Sequence, residues 1–226
     1  MKTGNMCVVA RVACLGLALA LLSPSWALAV TNVFQFNYTF SSGGSLSSPT
    51  GPAPWLTANI QDVTLGTVDL TINASGLQGS EYVSSFFMNL DPAMNPTSLS
   101  FLKTGMTGSF TDPTINLGEN GYKADGDGYY DIDLEFSTSH GSTFTVGDSI
   151  TYQITGSGLD ANDFEFTSQM GGGTGTYLAA AHVQSIGADG SSSAWIAPVP
   201  EPASAALLLF AAGLWFGARR LVKRTH

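Results

Sequence analysis

Between Val30 and Ala197 apolar residues recur at every second position in run after run. Phe34, Phe36, Tyr38 and Phe40 alternate with Gln35, Asn37 and Thr39. Val68, Leu70 and Ile72 alternate with Asp69, Thr71 and Asn73, and Ile150, Tyr152 and Ile154 form a similar set. Tyr130, Ile132, Leu134 and Phe136 alternate with Asp131, Asp133 and Glu135. A period of two puts one side of each run in a core and the other in water, which is the pattern of a half-buried strand. Tyr82 to Leu90 is apolar with little alternation and reads as a strand buried on both faces. Shorter strands are predicted at Leu99–Phe101, Phe164–Phe166, Tyr177–Ile186 and Ser193–Ile196. No segment in this region carries a 3.6-residue period, and no repeat of fixed length is visible. Gly, Ser, Thr, Asn and Asp separate the runs, as turns require. Ser41–Pro54 and Gly171–Gly175 read as surface loops. Many short antiparallel strands without helices predict an all-β fold, an antiparallel β-sandwich or jelly roll over residues 30–197.

The two ends break this pattern. At the N-terminus, Lys2 and Arg11 precede an apolar run from Val12 to Leu22. Ser23-Pro24-Ser25-Trp26 interrupts it, and Ala27-Leu28-Ala29 follows. A positive region, an apolar stretch and small residues two apart are the parts of a secretory signal peptide, predicted over residues 1–29 with cleavage after Ala29. At the C-terminus, Val199-Pro200-Glu201-Pro202 leads into an uncharged run from Ala203 to Ala218. Arg219, Arg220, Lys223 and Arg224 come next. As a helix the run would span roughly 24 Å, slightly less than a hydrocarbon core of ~30 Å. Snorkelling arginines and Leu221 and Val222 make one transmembrane helix feasible. The basic cluster would hold that end in the cytoplasm.

A Pro-Glu-Pro break, an apolar helix and a basic end in this order resemble the PEP-CTERM sorting tail of exported bacterial proteins. The resemblance covers residues 198–226, with the motif at Val199, Pro200, Glu201 and Pro202. It implies two partners, the secretion machinery and an exosortase, which is a membrane-embedded processing enzyme. It also implies a precursor anchored in the inner membrane of a Gram-negative-type bacterium and a product at the cell surface or in the extracellular matrix. Three stretches of the central region, Gly121–Ile132, Ala180–Gln184 and Trp195–Ala197, resemble the β-rich domains that accompany such tails. That second likeness supports the fold and brings no activity with it.

Without its ends the chain changes character. Both cysteines, Cys7 and Cys14, fall in the predicted signal peptide, so packing must stabilise the domain without disulfides. Sixteen acidic residues face only two basic ones, Lys103 and Lys123, a net charge of −14 over residues 30–197. Such a domain repels nucleic acid and anionic membrane surfaces and suits divalent cations. Its 168 residues are enough for one domain with a full core.

One constellation could carry chemistry. Asp125, Asp127 and Asp131 sit in Asp-x-Asp-Gly-x-x-Asp, with Asp133 and Glu135 following. Alternate acids in a glycine-containing loop can converge on Ca²⁺, which takes six to eight oxygens. Asp125, Asp127, Asp131 and Asp133 are therefore candidate ligands. The alternative is a hairpin turn leading into a strand with a solvated acidic stripe, Gly128 permitting the sharp bend. No catalytic motif is present: there is no nucleophile elbow, no His-Glu-x-x-His and no phosphate loop. His140 lies in a turn, and His182 reads as a satisfied histidine on a strand.

Two function classes are left. One is a non-enzymatic surface or matrix component associated with extracellular polysaccharide in a biofilm. The other is a carbohydrate-binding module or carbohydrate-active enzyme on a jelly roll, with Trp55, Tyr129 or Trp195 available to stack on sugar rings.

Overall fold

The computed structural model describes residues 29–40, 47–125, 127–172 and 176–199. The apolar run predicted to span the membrane and most of the predicted signal peptide and sorting tail lie outside them. The described residues contain no α-helix and no helix long and apolar enough to cross a membrane. Their strands are β1 (Thr31–Phe40), β2 (Leu56–Thr64), β3 (Thr67–Asn73), β4 (Tyr82–Met88), β5 (Ser100–Thr107) and β6 (Thr114–Lys123). β7 (Gly128–Glu135), β8 (Phe144–Thr145), β9 (Ser149–Thr155), β10 (Gln169–Met170), β11 (Ala179–Ile186) and β12 (Ser192–Pro198) complete the set. The all-β expectation holds.

All strands join one antiparallel sheet in the order β7-β4-β11-β12-β1-β2-β3-β9-β5, with β6 on the far side of β7. The short β10 and β8 pair with β7 and β4. The sheet folds over on itself. Phe36 of β1 and Phe86 of β4 lie three strand steps apart, about 14 Å along a flat sheet. Their ring centroids are nevertheless 5.5 Å apart. β1 makes the corner. Its first half, Thr31 to Phe36, pairs with β2, and its second half, Phe36 to Phe40, pairs with β12. The register with β12 shifts between Phe36 and Tyr38, and a bulge at a bend is how one strand serves two layers.

The first layer, β1-β2-β3-β9-β5, shows the alternation that its sequence implies. Ala58 and Ile60 of β2, Leu70 and Ile72 of β3, and Ile150 and Ile154 of β9 point into the shared core and are fully buried. Thr71 and Thr151 stand opposite on the other side, and their hydroxyls bond at 3.0 Å.

The second layer, β12-β11-β4-β7-β6, departs from simple alternation. Phe86 and Met88 of β4 enter the main core, whereas Phe87 joins a separate outer cluster with Phe40, Tyr130, Ala180 and Ala197. Two-sided burial explains why Tyr82–Leu90 lacks a polar alternate.

Two expectations fail. Phe164–Phe166 is not a strand: Ala161–Phe164 is a 3-10 turn begun by Asp160, whose side chain accepts the Asn162 N–H. The hydrogen bonds of that cap satisfy the first amides of a turn and compete with pairing. The acidic stripe of β7 is also not solvated throughout: Glu135 is exposed, but Asp131 and Asp133 are each only 8% exposed.

Candidate functional site

The outer side of the second layer is where chemistry concentrates. Antiparallel registers place Ser85, His182, Trp195 and Phe40 in one cross-strand row. Asp133, Phe87 and Ala180 form the neighbouring row, which reaches Ala197 and Tyr38 at its other end. The rings associate along these rows. Trp195 stacks on His182 at 4.7 Å and on Phe87 at 5.4 Å. Phe87 stacks on Tyr130 at 5.5 Å, and Phe40 on Tyr177 at 4.7 Å. Tyr38 meets Tyr177 at 5.9 Å and is 45% exposed. Phe40 and Phe87 are buried beneath this platform, while Trp195, Tyr177 and His182 are half-buried at its surface. Small alanines at positions 180 and 197 leave the rings room to lie flat.

Polar groups border the platform. His182 Nδ1 lies 3.0 Å from the Ser84 hydroxyl, and burial lowers the ring's pKa, so the imidazole is neutral at pH 7. Asp133 Oδ2 accepts from Asn116 Nδ2 at 3.0 Å, and its Oδ1 is buried without a partner among the described residues. Burial, with help from the nearby Glu135 charge and against the Asn116 bond, pushes the Asp133 carboxyl up to about 6.

Beside Tyr130, Asp131 lines a pocket of about 410 Å³. Leu90, Met94 and Phe166 supply its apolar wall and Asp91, Glu119 and Gln169 its polar rim. Asn89 also lines it, and its Nδ2 is buried without a partner among the described residues. Asn120 takes a left-handed backbone (φ 48°) in a stretch where β6 slips register against β7. That bend lets its N–H donate to Asp131 Oδ1 at 2.7 Å.

The four candidate calcium ligands go to four different surroundings. Asp125 is exposed at the end of the β6–β7 hairpin. Asp127 is completely buried, taking the Tyr130 hydroxyl on Oδ2 and the Ser168 hydroxyl on both oxygens at 2.9 and 3.0 Å. Asp131 is consumed by the backbone N–H groups of Leu90 and Asn120. Asp133 faces Asn116. Among the described residues no group of three or more acids, histidines or cysteines could hold a metal. These residues do not fit the convergent oxygen set that Ca²⁺ requires. Gly128, expected to permit a sharp bend, serves a close approach: a Cβ there would lie 2.1 Å from the Gln169 carbonyl of β10.

Of the aromatics considered for sugar stacking, Trp55 belongs to the buried main core. Tyr129 is on the surface under the Lys123 ammonium, 5.3 Å from its ring centroid, and Trp195 is in the platform. Tyr38, Tyr177 and His182 complete the platform. No local motif marks the four as a set, because they come from β1, from residues 177–182 and from β12.

The sorting tail begins at the same corner. Pro198 pairs with Phe36, and the Val199 N–H donates to Asn37 Oδ1 at 3.4 Å, so the chain leaves the sheet beside the β1 bulge. Ala29 is the first described residue, just ahead of β1. Ala27, Pro200, Glu201, Pro202, the helix predicted over 203–218, and Arg219, Arg220, Lys223 and Arg224 lie outside the described residues.

Residues 198–224 match the family model of the PEP-CTERM protein-sorting motif. No curated protein and no solved structure matches the chain. The motif is the mark of an exported protein whose membrane-anchored precursor is sorted by an exosortase.

Proposed function

We propose that this exosortase-sorted protein is a non-enzymatic component of the cell surface or extracellular matrix that holds neutral polysaccharide on the outer side of its second layer. The observation that carries this reading is the half-exposed platform of Trp195, Tyr38 and Tyr177. A flat aromatic ring covers the C–H side of a sugar, while neighbouring carboxylates and amides take its hydroxyls. Electrostatics select the class of glycan. Lys103 is paired with Asp112 at 2.7 Å and Lys123 sits over Tyr129, so sixteen acids would repel a polyanion. The product would reach this polymer after export and processing, with biofilm matrix as its setting.

The test is affinity electrophoresis of the processed protein through gels containing the matrix polysaccharide of the exporting cell. Retardation is expected, and Tyr38→Ala and Trp195→Ala should each weaken it about tenfold, near 1.4 kcal/mol. Equal mobility with and without polysaccharide would overturn the reading.

One observation favours a second reading, a carbohydrate-active enzyme. A carboxyl held near 6 beside Glu135 is the kind of group that protonates a leaving sugar. Release of reducing ends from the same polysaccharide, lost in Asp133→Asn, would establish hydrolysis in place of holding.

A further inference from the structure

We infer that the domain carries a built acceptor for its own processed N-terminus, in which the α-ammonium left on Val30 by cleavage after Ala29 pairs with the Asp62 carboxylate. The inference rests on that cleavage position. The contact is already formed in the uncut chain. The Val30 N–H donates to Asp62 Oδ2 at 3.0 Å, and the Asp62 N–H donates back to the Val30 carbonyl at 3.0 Å. This reciprocal clamp holds the first residue of the mature chain against β2.

Among the described residues no lysine or arginine pairs with the acids here. Asp62 Oδ1 accepts the Ala161 N–H at 2.8 Å, at the turn begun by Asp160. The Asp160 N–H donates to Asp163 Oδ2 at 2.8 Å. Asp62 from β2 and Asp160 and Asp163 from the turn therefore gather at one spot. Asp163 is raised by burial and then by the charges of Asp160, Asp91 and Asp62, which registers their mutual repulsion. The domain's two lysines are engaged elsewhere, with Asp112 and over Tyr129. The ammonium created by processing is a positive charge that the described chain itself brings to this trio.

Cleavage converts a neutral amide donor into a group with three N–H bonds and a full charge, and hydrogen bonds to charged groups are the stronger kind. Space for it exists. A pocket of about 480 Å³ beside the clamp is lined by Ala29, Val30, Asp62, Leu65, Leu159 and Asp160, among others. Loss of Ala29 opens it further. Processing would then do two things at once: it frees the chain from its leader and fastens the free end of β1.

The experiment compares the chain from Val30 to His226, in detergent, with a free or an acetylated α-amine. Acetylation keeps the N–H and removes the charge. At pH 7 the free-amine protein should melt about 2–4 °C higher. The difference should vanish in Asp62→Asn, whose amide still accepts a hydrogen bond. The amine should titrate above the ordinary α-amino range, read by NMR of a labelled Val30. A pKa raised by a partner stabilises the fold below the unfolded value and ceases to do so as pH rises through the folded one. The melting difference should therefore disappear in strongly alkaline buffer. Equal melting of the two forms, or an amine titrating as in a free peptide, would overturn the pairing. N-terminal sequencing of exported protein checks the cleavage position separately. A start other than Val30 would overturn the inference as well, because no α-ammonium would then form beside Asp62 in the exported protein.

Discussion

Asp127 and Asp133 are buried carboxyls in a domain with almost no bases, and each has a different solution. Asp127 is held by hydroxyls from Tyr130 and Ser168, which return part of the solvation that burial removes. Burial still wins, and its pKa is raised. Tyr130→Phe should cost about 1.5–3 kcal/mol in denaturant unfolding, because one charge-assisted bond is lost with little change in packing. Asp133 has only the Asn116 bond and tends to keep its proton. Its folded value of about 6 lies above the ordinary carboxyl value, so the native state binds the proton more tightly. The resulting stability is full below about pH 4 and is lost as pH rises through about 6. The denaturant midpoint should therefore fall across that window, and Asp133→Asn should flatten the fall. His182 acts in the opposite sense. Its lowered pKa makes the fold less stable as pH drops below about 6.5, where the unfolded imidazole takes a proton. Repeating the titration in His182→Gln separates the two.

At the scale of elements, the corner strand and the edges decide how the sheet is used. β1 folds one sheet into two layers by changing partner at Phe36. The two end strands are both irregular. β5 slips register between Lys103 and Gly105, and β6 between Leu117 and Tyr122. Bulges and an edge lysine discourage pairing with another chain. The short β10 depends on a bare backbone at Gly128. Gly128→Ala should detach it, since the new Cβ would overlap the Gln169 carbonyl. A loss of about 1–3 kcal/mol is expected, together with faster amide exchange at position 128 and at Met170. Element by element, legibility varied. β3 and β9 were readable because one side is core and the other is partly open to water, and β7 because its buried acids Asp131 and Asp133 keep the same period of two. β2 was not predicted, although Leu56, Ala58 and Ile60 carry the same period of two. β6 was hidden, because Gly118, Asn120 and Gly121 look like a turn and only the partner strand β7 makes them a bulged strand.

For the whole molecule, folding and sorting are expected to be separable. The main core is closed by strands between Thr31 and Pro198, and the tail departs at Val199. Deleting Pro200 to His226 should give a soluble protein with an unchanged strand-rich circular dichroism spectrum, released from the cell. Cutting earlier would remove the Pro198 pairing with Phe36 and weaken the corner. Glu201→Ala should leave an uncut precursor in the membrane. Normal processing of that variant would show that the tail is a plain anchor. Reducing agent should leave the melting temperature of the released domain unchanged, since both cysteines precede Ala29.

The linear order of residues was enough for the export tail and the all-β class. Each depends on local composition or on a period of two, which survive without knowledge of neighbours. The platform of Trp195, Tyr177, Tyr38 and His182 could not be read this way, because cross-strand registers assemble it from three separate segments. The same holds for the acids. Asp125, Asp127, Asp131 and Asp133 are close in sequence and look like one ligand set. Strand twist, the β6 bulge and the β10 contact send them to different surroundings. Asp62 and Val30 are 32 positions apart and meet only because β1 and β2 pair in that register. Spacing along the chain governs what a segment can become, and packing between segments governs which side chains share a site.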